Sequence, residues 1–291
     1  MGGAELAMVL TSALLHALWS ASIKGSGDPL AFNLAQGLLT LGLLLPLLPW
    51  AGLGSLPRGL WILLLATGLA HGAYWYGLSR TLAAGDLSLT YPIIRSTPAF
   101  LPWVAVPLLG ERLTVGGATG IAVVVAGIWL VSGTAAPGRA GRRALSSAGF
   151  TLATTVAYSL CDKQVMLSLG GGRWESALPT SLVAYLLIAA AGTLGFVPFA
   201  LPRLAPAALR HQLRGRLRAV GLAAAVGLVG YGLILEAYRS APASYVVATR
   251  QLSVVFALGI AVLSLGEQLS RRRVAGAVAT VAGVALIALA G

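Results

Sequence analysis

The chain has 291 residues, 57% hydrophobic and only 10% charged, with 37 glycines, a formal net charge of +12 and a mean hydropathy of +0.86. A soluble domain carries roughly 25% charged residues, so this chain has too few polar side chains to cover a water-facing surface. A cytosolic globule and a disordered chain are both excluded. The single cysteine, Cys161, can form neither an intrachain disulfide nor a zinc cage. Twenty basic residues, all arginine except Lys24 and Lys163, sit mostly in short gaps between apolar runs. That placement belongs to membrane loops and lipid contact, and no nucleic-acid partner is expected.

In chain order, ten apolar stretches approach the ~20 residues a helix needs to cross the hydrocarbon core. They cover 4–23, 30–50, 59–79, 87–109, 114–133, 146–167, 176–200, 219–238, 243–265 and 274–290. The first run carries His16 and Trp19 and no basic leader, so it reads as a true span and not a cleavable signal. The runs are long and continuous, which argues against the alternating strands of a β-barrel. Segment 203–218, with Arg203, Arg210, His211, Arg214, Arg216 and Arg218 among leucines and alanines, is expected to form a basic amphipathic helix on anionic lipid.

The chain repeats itself. Leu18–Lys24 in span 1 resembles Ala157–Lys163 in span 6, and Tyr76-Gly77-Leu78 resembles Tyr231-Gly232-Leu233. Gly110-Glu111-Arg112-Leu113 matches Gly266-Glu267-Gln268-Leu269, and Gly120 and Gly127 fall on Gly276 and Gly283 at the same offset of 156. Two units follow, 1–138 and 139–291, each with five spans. Five is odd, so the second unit enters the membrane from the opposite side. Inverted repeats of this kind are a device of secondary transporters, with substrate held near the midplane. The fold expected is therefore an all-α integral membrane protein, ten transmembrane helices forming two inverted five-helix repeats around a central cavity. With the termini outside, thirteen loop basic residues lie on the cytoplasmic side against five on the other, which the positive-inside rule favours.

Polar residues inside spans mark candidate sites, because a charge at the bilayer centre costs ~2.5–3.5 kcal/mol on insertion scales. Arg95 and Arg250 lie in spans 4 and 9, which are repeat counterparts, and together suit a clamp for carboxylate or phosphonate oxygens. The alternative is that each is neutralised by Asp162 or Glu236. In span 4, Tyr91, Arg95, Pro98 and Pro102 share a helix face, and Pro92, Pro98, Pro102 and Pro107 should break the helix where it lines a cavity. In span 6, Thr151, Thr155, Tyr158 and Asp162 form a stripe that reads as a relay or as interhelical hydrogen bonds. Span 3 presents His71, Tyr74, Trp75 and Leu78 on one face; in span 1, His16 shares a face with Ser20, and Trp19 matches Tyr158. Substrate contacts are thus expected from Arg95, Arg250, Tyr91, Trp19, Trp75, Tyr158 and His71, and coupling, by protons, from Asp162, Glu236 and His16. Glu236 has the alternative of an i, i+3 pair with Arg239. Glu111 and Glu267 read as structural turn residues, and Gly68-x3-Gly72 and Gly116-x3-Gly120 as close-packing spacings.

Two five-span halves, each with a Gly-Glu-x-Leu turn and a glycine-spaced last helix (110–131 and 266–287), resemble the EamA-type members of the drug/metabolite transporter superfamily. His16-Ala17-Leu18-Trp19 to Lys24, Asp28-Pro29-Leu30 and Gly85–Arg95 are similar to a bacterial subgroup linked with phosphonate use, although Ser20 stands where that subgroup has Asn. The resemblance implies alternating-access movement of small metabolites, often export of amino acids, through a cavity lined by helices 1, 3, 4, 6, 8 and 9. It also implies cytoplasmic termini, the opposite of the loop-charge reading. The function expected is secondary transport of a small anionic or zwitterionic metabolite across the inner membrane; the alternative is a translocase for a lipid or polyprenyl-linked headgroup. No Gly-x4-Gly-Lys loop, His-Glu-x2-His or Gly-x-Ser-x-Gly motif occurs, so ATP is not the direct driver, an enzyme is not expected, and neither is a cofactor or metal. The partners expected are a small-molecule substrate and membrane lipid, with the protein a monomer or homodimer.

Overall fold

The computed structural model describes residues 1–83, 87–132, 139–171, 174–265 and 269–291. Asp86, Arg173 and the Gly266-Glu267-Gln268 turn lie outside these, as do the side chains of Lys24, residues 87–89, Arg139, Arg142 and Arg143. The described residues are helical throughout, in the order α1 (Gly3–Lys24), α2 (Pro29–Leu44), α3 (Arg58–Ala83), α4 (Leu87–Arg95), α5 (Thr97–Leu109), α6 (Val115–Ser132), α7 (Arg139–Gly170), α8 (Thr180–Ala200), α9 (Pro206–Gly215), α10 (Leu217–Ala237), α11 (Ala243–Arg250), α12 (Ser253–Leu265) and α13 (Arg271–Ala290). Among the described residues, nine segments are long and apolar enough to cross a membrane. The 26-residue α3 falls short on hydropathy because His71, Tyr74, Trp75 and Tyr76 lie along it, although it packs extensively between α7 and α8.

The surface is strongly apolar, unlike that of a soluble protein, and the mainly hydrophobic interior also holds buried polar groups. Leu263, Leu289, Val115 and Trp103 are more than 80% exposed, whereas Asp162, Thr67, Thr151 and Thr249 are fully buried. Helix ends follow local chemistry. Asp28 caps α2 by accepting from the Ala31 amide at 3.0 Å, with Pro29 at the first helical position, where its missing N–H costs nothing. Gly110 ends α5 with φ of 65°, a conformation that favours glycine.

Two spans are broken at mid-depth. The break at Ser96, between α4 and α5, follows from Pro92 and Pro98, which deny the ladder two donors. Ser96 Oγ donates to the Pro92 carbonyl at 2.6 Å and accepts from Trp129 Nε1 of α6 at 3.0 Å, which holds the break in place. The counterpart span, expected to run unbroken over 243–265, is instead split after Arg250, with no proline nearby. Tight i−3 bonds replace the ladder there, from the Gln251 amide to Ala248 and from Leu252 to Thr249.

Close helix crossings use glycine. α6 and α13 make the most extensive contact in the molecule. A Cβ built on Gly120 would lie 2.7 Å from the Gly283 carbonyl oxygen, and one on Gly127 would lie 2.8 Å from that of Gly276. The same relation joins α3 to α8, with Gly68 and Gly72 facing Ala191 and Gly195. Only residues without side chains let the backbones approach so closely.

The face that carries both termini is tied together across the halves. The Glu111 carboxylate accepts from the amides of Ala243 and Ser244 and from Ser244 Oγ, capping the start of α11. Lys163, in span 6, is a buried residue of α7 whose ammonium donates to the carbonyls of Tyr238 and Ala241 at the end of α10. Ser240 Oγ donates to Glu5 at 2.7 Å on this same face. At the opposite end, the basic amphipathic helix forms as α9, but it docks on protein: Leu209 and Leu213 pack toward Val220 and Ala223, and Gln212 is buried and donates to Ser26.

Candidate functional site

Two chambers lie in the interior. The first, about 790 Å³ of atom-free space, lies between α1, α2, α3, α7, α8 and α10. Six rings stand in its wall, Trp19, Tyr74, Trp75, Tyr158, Tyr185 and Tyr231, beside small residues such as Gly227 and Gly230 and polar ones such as Ser12, Gln36, Thr40 and Thr193. The second, about 780 Å³, lies between α1, α3, α4, α7 and α11. Ser20, Thr97, Thr151, Thr155, Ser159 and Gln251 line it, and it runs to Ile23 and Leu82 at the ends of α1 and α3. Five residues line both: His16, Trp19, Tyr74, Tyr158 and Arg250.

Arg95 and Arg250 both line the second chamber, and each is the last residue of the first half of its broken span. A cation there meets the negative end of a helix dipole, which is one reason a guanidinium is tolerated at this depth. Each also lies over an aromatic face, Arg95 5.1 Å from the Tyr91 ring centre and Arg250 5.3 Å from that of Tyr231. Arg95 Nη1 donates to Ser253 Oγ at 3.2 Å, so the break in one half touches the break in the other. Arg250 Nη2 lies 3.2 Å from His16 Nδ1, which must be the acceptor in that contact, and the His16 ring stacks on Trp19. Among the described residues neither arginine has a carboxylate within ion-pair distance, so neutralisation by Asp162 or Glu236 is not what the structure presents.

Asp162 is engaged elsewhere. Its fully buried carboxylate accepts from Thr67 Oγ1 and Tyr231 OH and lies 2.9 Å from His71 Nε2. His71 stacks on Tyr158 with ring centres 4.2 Å apart. A buried carboxylate held by three donors on α3 and α10 is fully satisfied, as a charge at this depth must be. Tyr231 joins this cluster to Arg250 through opposite parts of one side chain: its hydroxyl binds Asp162 and its ring lies under the guanidinium.

Other sequence candidates separate from this centre. Glu236 is bonded to Arg239 at 2.7 Å on the terminus-bearing face, half-buried itself beside the exposed arginine, and it lines neither chamber. Its place is that of a surface i, i+3 pair. The hydroxyls of Thr151, Thr155 and Ser159 line the second chamber and each donates to the carbonyl four residues back on α7, while Ser159 also bonds Tyr238 at the end of α10. The sequence reading did not single out Thr67 or Tyr231 as ligands of Asp162. Thr67 lies one turn before His71 on the same face, and Tyr231 is the repeat mate of Tyr76, so a signal was present for each.

An apolar-skinned helical bundle with polar groups and chambers gathered among its helices defines a multi-pass membrane protein. The EamA-like transporter family model matches residues 4–133 and 169–289, and the chain belongs to that family. A Sinorhizobium protein described as an "Uncharacterized transporter in cobO 3'region" is 30% identical over 83 residues, which span 28% of this chain and 59% of that protein. The fold is also similar to a solved structure described as "Crystal structure of protein", with a TM-score of 0.72 and 16% identity, covering 98% of this chain and 96% of that one.

Proposed function

We propose that the protein is a secondary transporter that moves a small anionic or zwitterionic metabolite across the inner membrane by alternating access. The observation that carries this reading is the pair Arg95 and Arg250, two guanidiniums without carboxylate partners among the described residues, lining one chamber at matching breaks of two spans. Even a half-buried cation without a counter-charge is costly, and a substrate anion supplies the missing charge with bidentate geometry. Asp162 with His71 is the proton-coupling centre, connected to the substrate site through Tyr231 and Arg250.

Ten spans in two inverted halves, 1–138 and 139–291, provide the machinery. The reciprocal crossing of α6 and α13 supports the inversion. Gly120 meets Gly283 and Gly127 meets Gly276, so partners run in opposite directions while repeat-equivalent residues exchange roles, as a two-fold axis in the membrane plane requires. The terminus-bearing face is sealed by Glu111, Lys163 and Glu5, while the second chamber extends toward the basic face that bears Arg80, α9 and Arg271–Arg273. This is one of the two states that alternating access needs.

The test is a thermal-shift screen of purified protein against amino acids, phosphonates and quaternary amines. A ligand at 100 times its Kd stabilises by about 2.7 kcal/mol through mass action. An anion-bearing compound should stabilise the wild type and not Arg95→Ala. Stabilisation by quaternary amines alone, or an anion shift that survives Arg95→Ala, overturns the assignment.

A further inference from the structure

The first chamber, called the aromatic chamber below, is not needed to hold an anionic head, and it carries more rings than its neighbour: Trp75, Tyr185 and Tyr231 line it alone, where the second chamber adds only Tyr91. Arg250 borders both chambers while Arg95 borders only the second, so an anion bridging the two guanidiniums sits at the junction, its remainder free to turn into either space. The second chamber leads to the helix ends at Ile23 and Leu82, whereas the aromatic chamber is lined from the middle of its helices.

The aromatic chamber is also unfinished as packing. Ser12 Oγ and Thr193 Oγ1 are buried in residues that line it and have no hydrogen-bond partner, whereas buried hydroxyls are ordinarily paired. Its floor is kept open by Gly227, where an added Cβ would approach only the ends of the Gln36 and Tyr185 side chains, at 3.2 and 3.6 Å. Rings already meet there edge to face: Tyr158 with Tyr74 at 5.2 Å and with Tyr231 at 6.5 Å between centres. That geometry suits one more ring. A cation is disfavoured, because Arg250 already occupies the Tyr231 face and the Asp162 charge is taken up by three donors.

We propose that this chamber is a side-chain subsite for an aromatic ring carried by the same molecule whose anionic group is held at Arg95 and Arg250, so that the cargo class is an aromatic anion or zwitterion. This rests on the anion-site reading above and adds the specificity determinant. The subsite is formed by the rings of Trp75, Tyr158, Tyr185 and Tyr231 over the open floor at Gly227.

The experiment compares two probes with one head group, methylphosphonate and phenylphosphonate, by calorimetric titration of the purified full chain. Phenylphosphonate should bind at least tenfold more tightly, and Gly227→Leu should erase that preference while leaving the methylphosphonate Kd within threefold. If Gly227→Leu does not fold, Ala189→Leu, from the same wall, serves as the second filler and should act likewise. Equal affinities for the two probes, a preference that persists in the filled chamber, or comparable binding of benzyltrimethylammonium overturns the subsite. Methylphosphonate binding without a phenyl preference removes the subsite alone, whereas binding of neither probe removes the anion site as well.

Discussion

Arg250→Ala separates a binding arginine from a structural one, because the two roles move stability and affinity in different directions. In the ligand-free protein Arg250 gains one charge-assisted hydrogen bond to His16 at 3.2 Å, about 1.5–3 kcal/mol. A cation–π contact with Tyr231 at 5.3 Å adds about 0.5–2 kcal/mol. Against this stands partial desolvation of a half-buried guanidinium without a carboxylate partner among the described residues, a cost of about 2.5–3.5 kcal/mol on insertion scales. The terms nearly cancel, so the substitution should leave the thermal midpoint of the apo protein close to wild type or raise it. Binding should suffer instead. A charge-assisted hydrogen bond contributes about 1.5–3 kcal/mol, so the Kd for a stabilising anion such as phenylphosphonate should rise roughly 10- to 150-fold. Arg95→Ala should weaken binding by a similar factor, and the double variant by less than the product if both guanidiniums hold one group. Thermal denaturation with calorimetric titration of the four proteins reads all of this. An apo protein destabilised by more than about 3 kcal/mol with an unchanged Kd matches the loss of a structural charge and refutes the reasoning.

Asp162→Asn keeps the shape of the buried carboxylate but removes its charge and turns one acceptor into a donor, facing Thr67, His71 and Tyr231. The expected loss is about 1.5–3 kcal/mol of stability. In proteoliposomes, uptake driven by a pH gradient should vanish while counterflow exchange persists; gradient-driven uptake that survives removes Asp162 from coupling. Glu111→Ala deletes the carboxylate that caps α11 from the other half of the chain and should cost about 1–2 kcal/mol, with Glu111→Gln recovering part. A thermal midpoint unmoved by Glu111→Ala shows that the terminus-bearing face is held by something else.

The positions of the helices were legible because the signals that define them are local. Apolar runs near 20 residues, the prolines around Ser96, Asp28-Pro29 before α2 and the matched glycines of 120/127 and 276/283 each act within a few turns of chain. The break after Arg250 carried no such mark. Its i−3 bonds and the contact from Arg95 to Ser253 arise from the other half pressing against it. The polar stripe on α7 was visible, yet it did not reveal that its threonines turn back on their own helix.

Composition and hydropathy alone settle that this chain is built for lipid, and repetition along it reveals two related halves, since the bilayer acts on each segment separately. Which polar side chains meet is a different matter. His71 finds Asp162 across 91 positions and His16 finds Arg250 across 234. No periodicity within a helix encodes such pairings, because they depend on how helices rotate and cross once packed. Tertiary structure therefore decided that Asp162 binds His71 and Tyr231, that Glu236 stays at the surface with Arg239, and that both mid-membrane arginines border a common space.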